Sequence, residues 1–138
     1  MMLIDTNIWA YYFDATLDEH PRIIKPVETA LRQRSAAINS TIAIETLHYL
    51  VRRLGPLAGG DKGQIFLGYG VPLHVLDAQG LELTRQKLCE FSHLGIGGRD
   101  ASLLATMTQH GMQAIMTHDQ TFKRIPDIRV IDPATKER

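Results

Sequence analysis

Five short apolar runs alternate along the chain with longer segments in which apolar residues recur at helical spacing. The short runs are rich in aliphatic and β-branched side chains and are bounded by polar or turn residues, which is typical of strands. The predicted strands are MMLI at 1–4, AAIN at 36–39, PLHVL at 72–76, QAIMT at 113–117 and IRVI at 128–131. Their continuous apolar character indicates parallel strands buried on both faces.

Helical periodicity is clearest at 21–34, 41–54, 78–92 and 100–110. Strands that alternate with helices predict an α/β three-layer sandwich, in which helices flank a mostly parallel five-stranded sheet. The stretch GPLAGGDKGQIFLGYG at 55–70 is rich in glycine, so we predict a loop there with at most one short helix inside it. We predict a single domain over 1–134, followed by a charged tail, TKER, at 135–138.

An aromatic stripe lies in the first part of a helical pair predicted across 7–34. The segment WAYYFDATL presents Trp9, Tyr12, Phe13 and Leu17. Core packing is the favoured use of this stripe. The alternative is a groove for a partner peptide or a homodimer face.

Composition restricts the class of protein. With 44% hydrophobic and 22% charged residues, the chain has the balance of a globular protein, and no apolar run approaches the length of a membrane span. The start MMLID does not resemble a signal peptide, and the single cysteine, Cys89, excludes an internal disulfide and a cysteine-cluster zinc site. We expect a cytoplasmic protein in which Cys89 is a packed or half-exposed thiol.

The formal net charge is zero, with fifteen basic and fifteen acidic residues. A protein that binds nucleic acid through charge alone is usually basic. A nucleic-acid function therefore requires a metal ion or a local basic patch to meet the phosphates.

Two aspartates follow predicted strands. Asp5 ends the first strand, in MMLIDTN, and Asp119 follows the fourth, in AIMTHDQTF. Sites in open parallel sheets form at the carboxyl ends of strands, so these two carboxylates are candidates for one cleft. Each alone also has an ordinary explanation, because aspartate between a strand and a helix is a favoured N-cap.

Two further acids lie in predicted helices. Asp100 precedes Leu103, Leu104 and Met107 at spacings that put all four on one face, and an acid on an inward face needs a partner or a metal. Glu45 points nearly opposite the main apolar stripe of its helix, so periodicity alone predicts a solvated side chain. Helix capping accounts for a single aspartate at the start of a helix, but it does not account for all four acids. The four acids taken together therefore favour a shared site.

Four motifs in order carry a family resemblance. They are LIDTN at the start, a glutamate inside a helix after a serine or threonine in STIAIE, RDASLLA in the third quarter, and T-x-D-x-x-F at 117–122. Together they resemble the PIN-domain ribonucleases, most strongly the small prokaryotic toxins of the VapC type. The resemblance implies a PIN-like, Rossmann-like sandwich and covers essentially the whole chain.

Carried over by motif position, the resemblance implies an acidic site of Asp5, Glu45, Asp100 and Asp119. The supporting polar residues are Thr6 or Asn7 beside the first acid and Thr117 before the last. Many relatives carry a further acid where this chain has Thr121, so we expect fewer protein ligands to a metal here, with a hydroxyl or water in that place.

Clustered carboxylates repel one another, and a hard divalent ion relieves that repulsion. Mg²⁺ or Mn²⁺ suits an oxygen donor set, whereas the absence of histidine and cysteine from the four acid positions argues against zinc. His118 adjoins Asp119, but we predict that it faces the surface. The resemblance implies hydrolysis of RNA that leaves a 5′-phosphate and a 3′-hydroxyl.

Five cations near the motifs are candidate contacts for RNA phosphates. They are Arg52, Arg53, Arg99, Lys123 and Arg124. For each of them, a merely solvated helix end is an equally good interpretation.

The resemblance also implies a homodimer and a cognate antitoxin. A housekeeping RNA-processing nuclease or an inactive PIN-type binding module is the main alternative. A phosphatase with an aspartyl nucleophile is disfavoured because Asn7 stands where a second aspartate is usual. The remaining alternative is a structural α/β domain whose acids only cap helices.

Overall fold

The computed structural model describes residues 1–136. The strands are β1 (Met2–Ile4), β2 (Ala36–Asn39), β3 (Leu73–His74), β4 (Ala114–Met116) and β5 (Arg129–Ile131). The helices are α1 (Thr6–Phe13), α2 (His20–Arg32), α3 (Ser40–Leu67), α4 (Ala78–Phe91) and α5 (Gly98–Gln109), with short 3-10 helices at Ser92–Leu94 and Gln120–Arg124. Of the predicted tail, Glu137 and Arg138 lie outside the described residues.

The five strands form one sheet in the order β3-β2-β1-β4-β5, and every pair is parallel. The α/β prediction is confirmed, and the sheet is parallel throughout. The chain passes from β1 to β2 on one side and later returns to add β4 on the other, so the strand order reverses at β1. A crevice at such a reversal is where ligands bind in open α/β sheets.

The register between β1 and β4 brings two predicted motifs side by side. Ile4 pairs with Met116, and the Asp5 backbone N–H donates to the Met116 carbonyl at 2.9 Å. The residues that follow each strand, Asp5 and Thr117, are therefore neighbours at the carboxyl edge of the sheet.

Trp9 on α1 is fully buried, and the aromatic stripe serves the core as favoured from the sequence. Its indole N–H donates to the Ile4 carbonyl at 3.0 Å, and its ring meets Phe66 edge-on with centroids 5.0 Å apart. Tyr12 and Phe13 pack partly buried beside it. The indole bond matters because a buried N–H without a partner would cost free energy.

The predicted loop at 55–70 is wrong, since α3 continues through most of it. Gly55 has φ 85° and breaks the helix just before Pro56, after which helix resumes to Leu67. A Cβ on Gly59 would lie 2.3 Å from the Leu50 carbonyl oxygen, so the second half of α3 crosses tightly against the first. The glycines that suggested a loop instead permit this close approach of two helical segments.

Four of the five strands are shorter than predicted, and only β2 has the predicted bounds. β3 has only two residues, because it pairs with β2 alone at the edge of the sheet and Val75 beyond it is exposed. Over residues 1–136, no helix combines the length and the apolar composition that crossing a membrane requires.

Candidate active site

The four predicted acids lie at the carboxyl edge of the sheet or on the helices that begin there. Asp5 follows β1 and caps α1, and Asp119 follows β4 and caps the 3-10 helix Gln120–Arg124. Asp100 is in the first turn of α5, and Glu45 is in the second turn of α3. Glu45, Asp100 and Asp119 line one open cleft together with Thr6 and Asn7.

Asp5 is fully buried and hydrogen-bonded on both oxygens. Oδ1 accepts from the Thr6 backbone N–H at 2.7 Å, which confirms the predicted cap, and Oδ2 accepts from the Thr117 hydroxyl at 2.7 Å. The Thr117 oxygen in turn accepts from the Asp119 backbone N–H at 3.0 Å and from Asn7 Nδ2 at 3.3 Å. The buried Thr117 hydroxyl therefore links the residues that follow β1 and β4 through hydrogen bonds.

A single guanidinium, that of Arg99, joins three of the acids. Arg99 Nε lies 2.9 Å from both oxygens of Glu45, Nη1 lies 2.9 Å from Asp100 Oδ1, and Nη2 pairs with Asp5 Oδ1. These carboxylates come from three separate helical termini or turns, and Arg99 is 94 residues from Asp5 in the chain. The side chain of Arg99 is 32% exposed, against 14% for Asp100 and 36% for Glu45.

The position of Glu45 contradicts the solvated side chain that helical periodicity predicted. Beyond its contact with Arg99, its Oε1 accepts from the Thr6 hydroxyl at 2.9 Å. Glu45 faces the cleft and is not simply solvated. Its partner Arg99 comes from α5, so the apolar stripe of α3 carries no signal of this contact. By contrast, the predicted inward face of Asp100 is confirmed, since Leu103, Leu104 and Met107 are all buried.

The electrostatics of the cluster show that Arg99 does not neutralise it. Burial raises the pKa of Asp100, and the charges of Asp119 and Asp5 raise it further, although Arg99 acts in the opposite direction. Burial lowers the pKa of Arg99, but the charges and hydrogen bonds of Asp5 and Glu45 outweigh it and raise that pKa overall. One positive charge thus faces several carboxylates, and the cleft favours additional cations.

The donor set has the chemistry of a hard-cation site, since every candidate ligand is a carboxylate or hydroxyl oxygen. The carboxylates converge on Arg99, however, and not on a position for a metal ion. Within residues 1–136, no group of three or more histidine, cysteine, aspartate or glutamate side chains is positioned to hold a metal ion. The carboxylates instead face the three nitrogens of Arg99.

Comparison with known proteins decides the family. The family model described as "PIN domain" matches residues 2–128. The chain belongs to the PIN domain family. No curated protein matches it significantly.

Several solved structures share the fold of this PIN domain. The Mycobacterium tuberculosis toxin VapC20, described as cleaving the sarcin-ricin loop, has a TM-score of 0.76 and 20% identity over 94% of this chain and 98% of that one. VapBC2 from Rickettsia felis, bound to a promoter DNA fragment, has a TM-score of 0.75 and 19% identity over 95% and 97%. FitAcB from Neisseria gonorrhoeae has a TM-score of 0.75 and 17% identity over 96% and 98%.

The other cations named from the sequence lie in different settings within the PIN domain. Arg53 pairs with the buried Asp14 at 3.0 Å, and Lys123 pairs with Asp132 at 2.7 Å. Arg52 and Arg124 are exposed, and the described residues offer them no ion-pair partner. The Thr121 backbone N–H donates to Asp119 Oδ1 at 2.9 Å.

Sequence reasoning missed two carboxylates, Asp14 and Asp132, that join distant segments outside the lining of the cleft. Asp14 accepts from Tyr49 at 2.7 Å as well as from Arg53, and so joins the end of α1 to α3. Asp132 holds both Lys123 and the half-exposed His118, whose Nδ1 lies 3.0 Å from it. No motif marks either residue, and only the packing of distant segments reveals them.

Proposed function

We propose that this PIN domain is a Mg²⁺- or Mn²⁺-dependent endoribonuclease and the toxin of a toxin–antitoxin pair. The observation that carries the proposal is the convergence of Asp5, Glu45 and Asp100 on one cation at the reversal point of the sheet. Three acids on remote segments meet one guanidinium, and the fourth, Asp119, lines the same cleft as Glu45 and Asp100, which exceeds what helix capping needs. The cleft is open, as a polymeric substrate requires.

The ligands of the divalent ion would be drawn from Asp5, Glu45, Asp100 and Asp119. When bound, the ion would acidify a water and neutralise charge on the phosphoryl oxygens. The chain's own contribution is positional. Thr6 and Thr117 hold Asp5 on its two oxygens, so that this carboxylate keeps one orientation during the reaction.

RNA phosphates flanking the cut would contact exposed cations on the segments that carry Glu45 and Asp119. Arg52 and Arg124 are the favoured candidates, because they have no carboxylate to give up among residues 1–136. Arg53 and Lys123 would have to leave Asp14 and Asp132, which makes them costlier contacts. Thr121, at the position of the acid in many relatives, would leave any second metal weakly held.

The partner proposals are a cognate antitoxin and a second copy of the chain, both in the cytoplasm. Support comes from the fold-sharing VapBC2 and FitAcB structures and from a toxin–antitoxin complex of Klebsiella pneumoniae, which has a TM-score of 0.69. Exposed aliphatic side chains also offer apolar contact area. They include Ile44, Leu57, Val75 and Leu81.

The test is cleavage of a mixed fluorogenic RNA panel by the purified protein with Mg²⁺, with Mn²⁺ and with chelator. Asp100→Asn removes one carboxylate charge at the site, and Asp61→Asn removes one from an exposed position on α3 as the matched control. We expect metal-dependent cleavage that Asp100→Asn abolishes and Asp61→Asn retains. Equal cleavage by both variants would identify a contaminating ribonuclease and contradict the proposal.

A second candidate is an inactive PIN-type RNA-binding module, which is favoured because no group of three acids among residues 1–136 is positioned to hold a metal ion. RNA binding without cleavage in any metal would support it. Among active nucleases, growth arrest on expression in a bacterial host separates a toxin from an RNA-processing enzyme. Arrest should depend on Asp100.

A further inference from the structure

Arg99 occupies the position among the carboxylates that a catalytic cation would need. Its three nitrogens meet Glu45, Asp100 and Asp5 separately, so the guanidinium is at the centre of the cluster and not at its rim. A divalent ion held by these carboxylates would lie close to the guanidinium, because Arg99 already bonds both oxygens of Glu45 and one oxygen each of Asp100 and Asp5. The two cations would repel each other and compete for the same three acids.

The position of Arg99 in the fold allows its side chain to move away from the three carboxylates. It is the second residue of α5, and the N-cap Gly97 supplies no side-chain hydrogen bond to the first turn. A Cβ on Gly97 or Gly98 would meet nothing within 4 Å, so no packing encloses the segment that leads into Arg99. The side chain is already about one-third exposed, whereas Asp5 beneath it is fully buried.

We infer that Arg99 is a built-in, displaceable counter-cation of the acidic cleft, which a divalent metal ion must expel in order to bind. Arg99 holds the acids together in the absence of the ion and lowers the affinity of the site for it. The inference rests on the proposed function, because it concerns the same carboxylates. It adds a residue that opposes metal binding where sequence reasoning expected a phosphate contact.

The expected behaviour follows from competition between two cations for one set of ligands. Replacing Arg99 by glutamine removes the competing charge, so the affinity of the cleft for a divalent ion should rise. Energetic coupling between two bound groups typically changes an affinity by about 5- to 150-fold, as measured for ligands at distinct sites, and we expect the dissociation constant for Mn²⁺ to fall by a factor of similar size. Without metal, Arg99→Gln should unfold at a lower temperature than wild type, since the carboxylates lose their counter-charge.

The experiment measures Mn²⁺ binding by electron paramagnetic resonance of the free ion, with no RNA present. Wild type, Arg99→Gln and the control Arg53→Gln are compared. Arg53 also pairs with a buried carboxylate, that of Asp14, but has no contact with the four acids. We expect tighter Mn²⁺ binding in Arg99→Gln alone, and recovery of its unfolding temperature at saturating Mn²⁺.

The outcomes separate this inference from the proposed function. Equal or weaker Mn²⁺ binding by Arg99→Gln, with binding intact in wild type, would overturn the inference and leave the nuclease proposal standing. An absence of Mn²⁺ binding in wild type and in folded Arg99→Gln would overturn both.

A measurement on wild type keeps the inference testable if Arg99→Gln does not fold. The Arg99 Nε–Hε group, assigned with Arg99→Lys, should give a water-protected NMR signal because it is bound to both oxygens of Glu45. Saturation with diamagnetic Mg²⁺ should move this signal and remove its protection. An unchanged signal at saturating Mg²⁺ would overturn the inference.

Discussion

Thr117 and Thr46 are two buried threonines with opposite hydrogen bonding. The Thr117 hydroxyl donates to Asp5 and accepts from Asp119 and Asn7. The Thr46 hydroxyl, buried in α3, finds no partner among the described residues. A threonine hydroxyl therefore supports the site at position 117, whereas at position 46 its burial without a partner costs free energy.

Replacing each threonine by the isosteric valine should have opposite effects on stability. Thr117→Val leaves a buried carboxylate oxygen without its donor and should cost about 1–3 kcal/mol of the free energy of unfolding. Thr46→Val removes an unpaired hydroxyl and should be neutral or stabilising by about 1 kcal/mol. Urea denaturation of both variants checks this. A destabilised Thr46→Val would mean that its hydroxyl has a partner.

Asp14 carries a prediction for the dependence of stability on pH. The Thr16 hydroxyl, then Tyr49 and Arg53, outweigh burial and hold the pKa of Asp14 far below its usual value. A carboxyl with a lowered folded-state pKa stabilises the fold above its unfolded-state pKa, about 3.9, and loses that contribution as the pH falls toward the folded-state value.

Asp14→Asn should therefore destabilise the protein by about 2 kcal/mol at neutral pH. The difference from wild type should stay constant between about pH 5 and 8 and shrink below about pH 4. Thermal or urea unfolding across this range measures it. A difference that grew toward acid pH would mean that folding raises the pKa of Asp14, contrary to the prediction.

At the scale of elements, α3 illustrates how glycine can serve packing within a helix. Gly59 and Gly60 are consecutive in the second half of α3, yet their surroundings differ completely. A Cβ on Gly59 would meet backbone atoms of Leu50 and Val51 at 2.3 and 2.6 Å, whereas a Cβ on Gly60 would meet nothing within 4 Å. One glycine is required by the crossing of two helical segments, and its neighbour is not.

Alanine at these two positions should change stability in opposite directions. Gly60→Ala should stabilise by about 0.4–1 kcal/mol, because alanine restricts the unfolded chain and favours helix. Gly59→Ala should destabilise by about 1–3 kcal/mol, since backbone must move to admit the methyl group. Denaturation midpoints of the two variants test the crossing directly, and two stabilised variants would exclude it.

At the scale of the whole molecule, the proposed RNA substrate would have to be bound by a chain of zero formal net charge, which requires an uneven distribution of its charges. Arg53, Arg99 and Lys123 are committed to carboxylates, so a formal count overstates the cations available to phosphate. Arg52 lies on α3 and Arg124 ends the 3-10 helix Gln120–Arg124, and both remain available. Only such cations contribute to the salt dependence of binding.

The double variant Arg52→Gln/Arg124→Gln should bind RNA more weakly and with less dependence on salt. Each lost phosphate contact with single-stranded RNA lowers the slope of log affinity against log salt by about 0.7. The matched control is Arg32→Gln/Arg129→Gln, which removes two exposed arginines at the amino edge of the sheet. Binding is measured in the Asp100→Asn background to prevent cleavage. Equal salt slopes for the two pairs would exclude Arg52 and Arg124 as contacts.

The sequence by itself determined the fold class and the order of its elements. Five apolar runs predicted five strands, because residues buried on both faces of a parallel sheet leave no polar alternation to obscure them. It also determined that Asp5 caps α1 and that Asp100 faces inward, since both depend on neighbours within a few residues. Asp5, Asp100 and Asp119 were named as candidates from strand ends and helical periodicity, Glu45 was added by motif resemblance, and the chemical roles of all four remain predictions.

Only the tertiary structure decided which groups meet across long distances in the chain. Periodicity placed Glu45 in solvent because its partners, Arg99 and Thr6, belong to other segments. Glycine content suggested a loop at 55–70 because the close approach of Gly59 to Leu50 is a contact between two helical segments. The guanidinium among the carboxylates is likewise a property of three-dimensional proximity, for which local sequence patterns carry no signal.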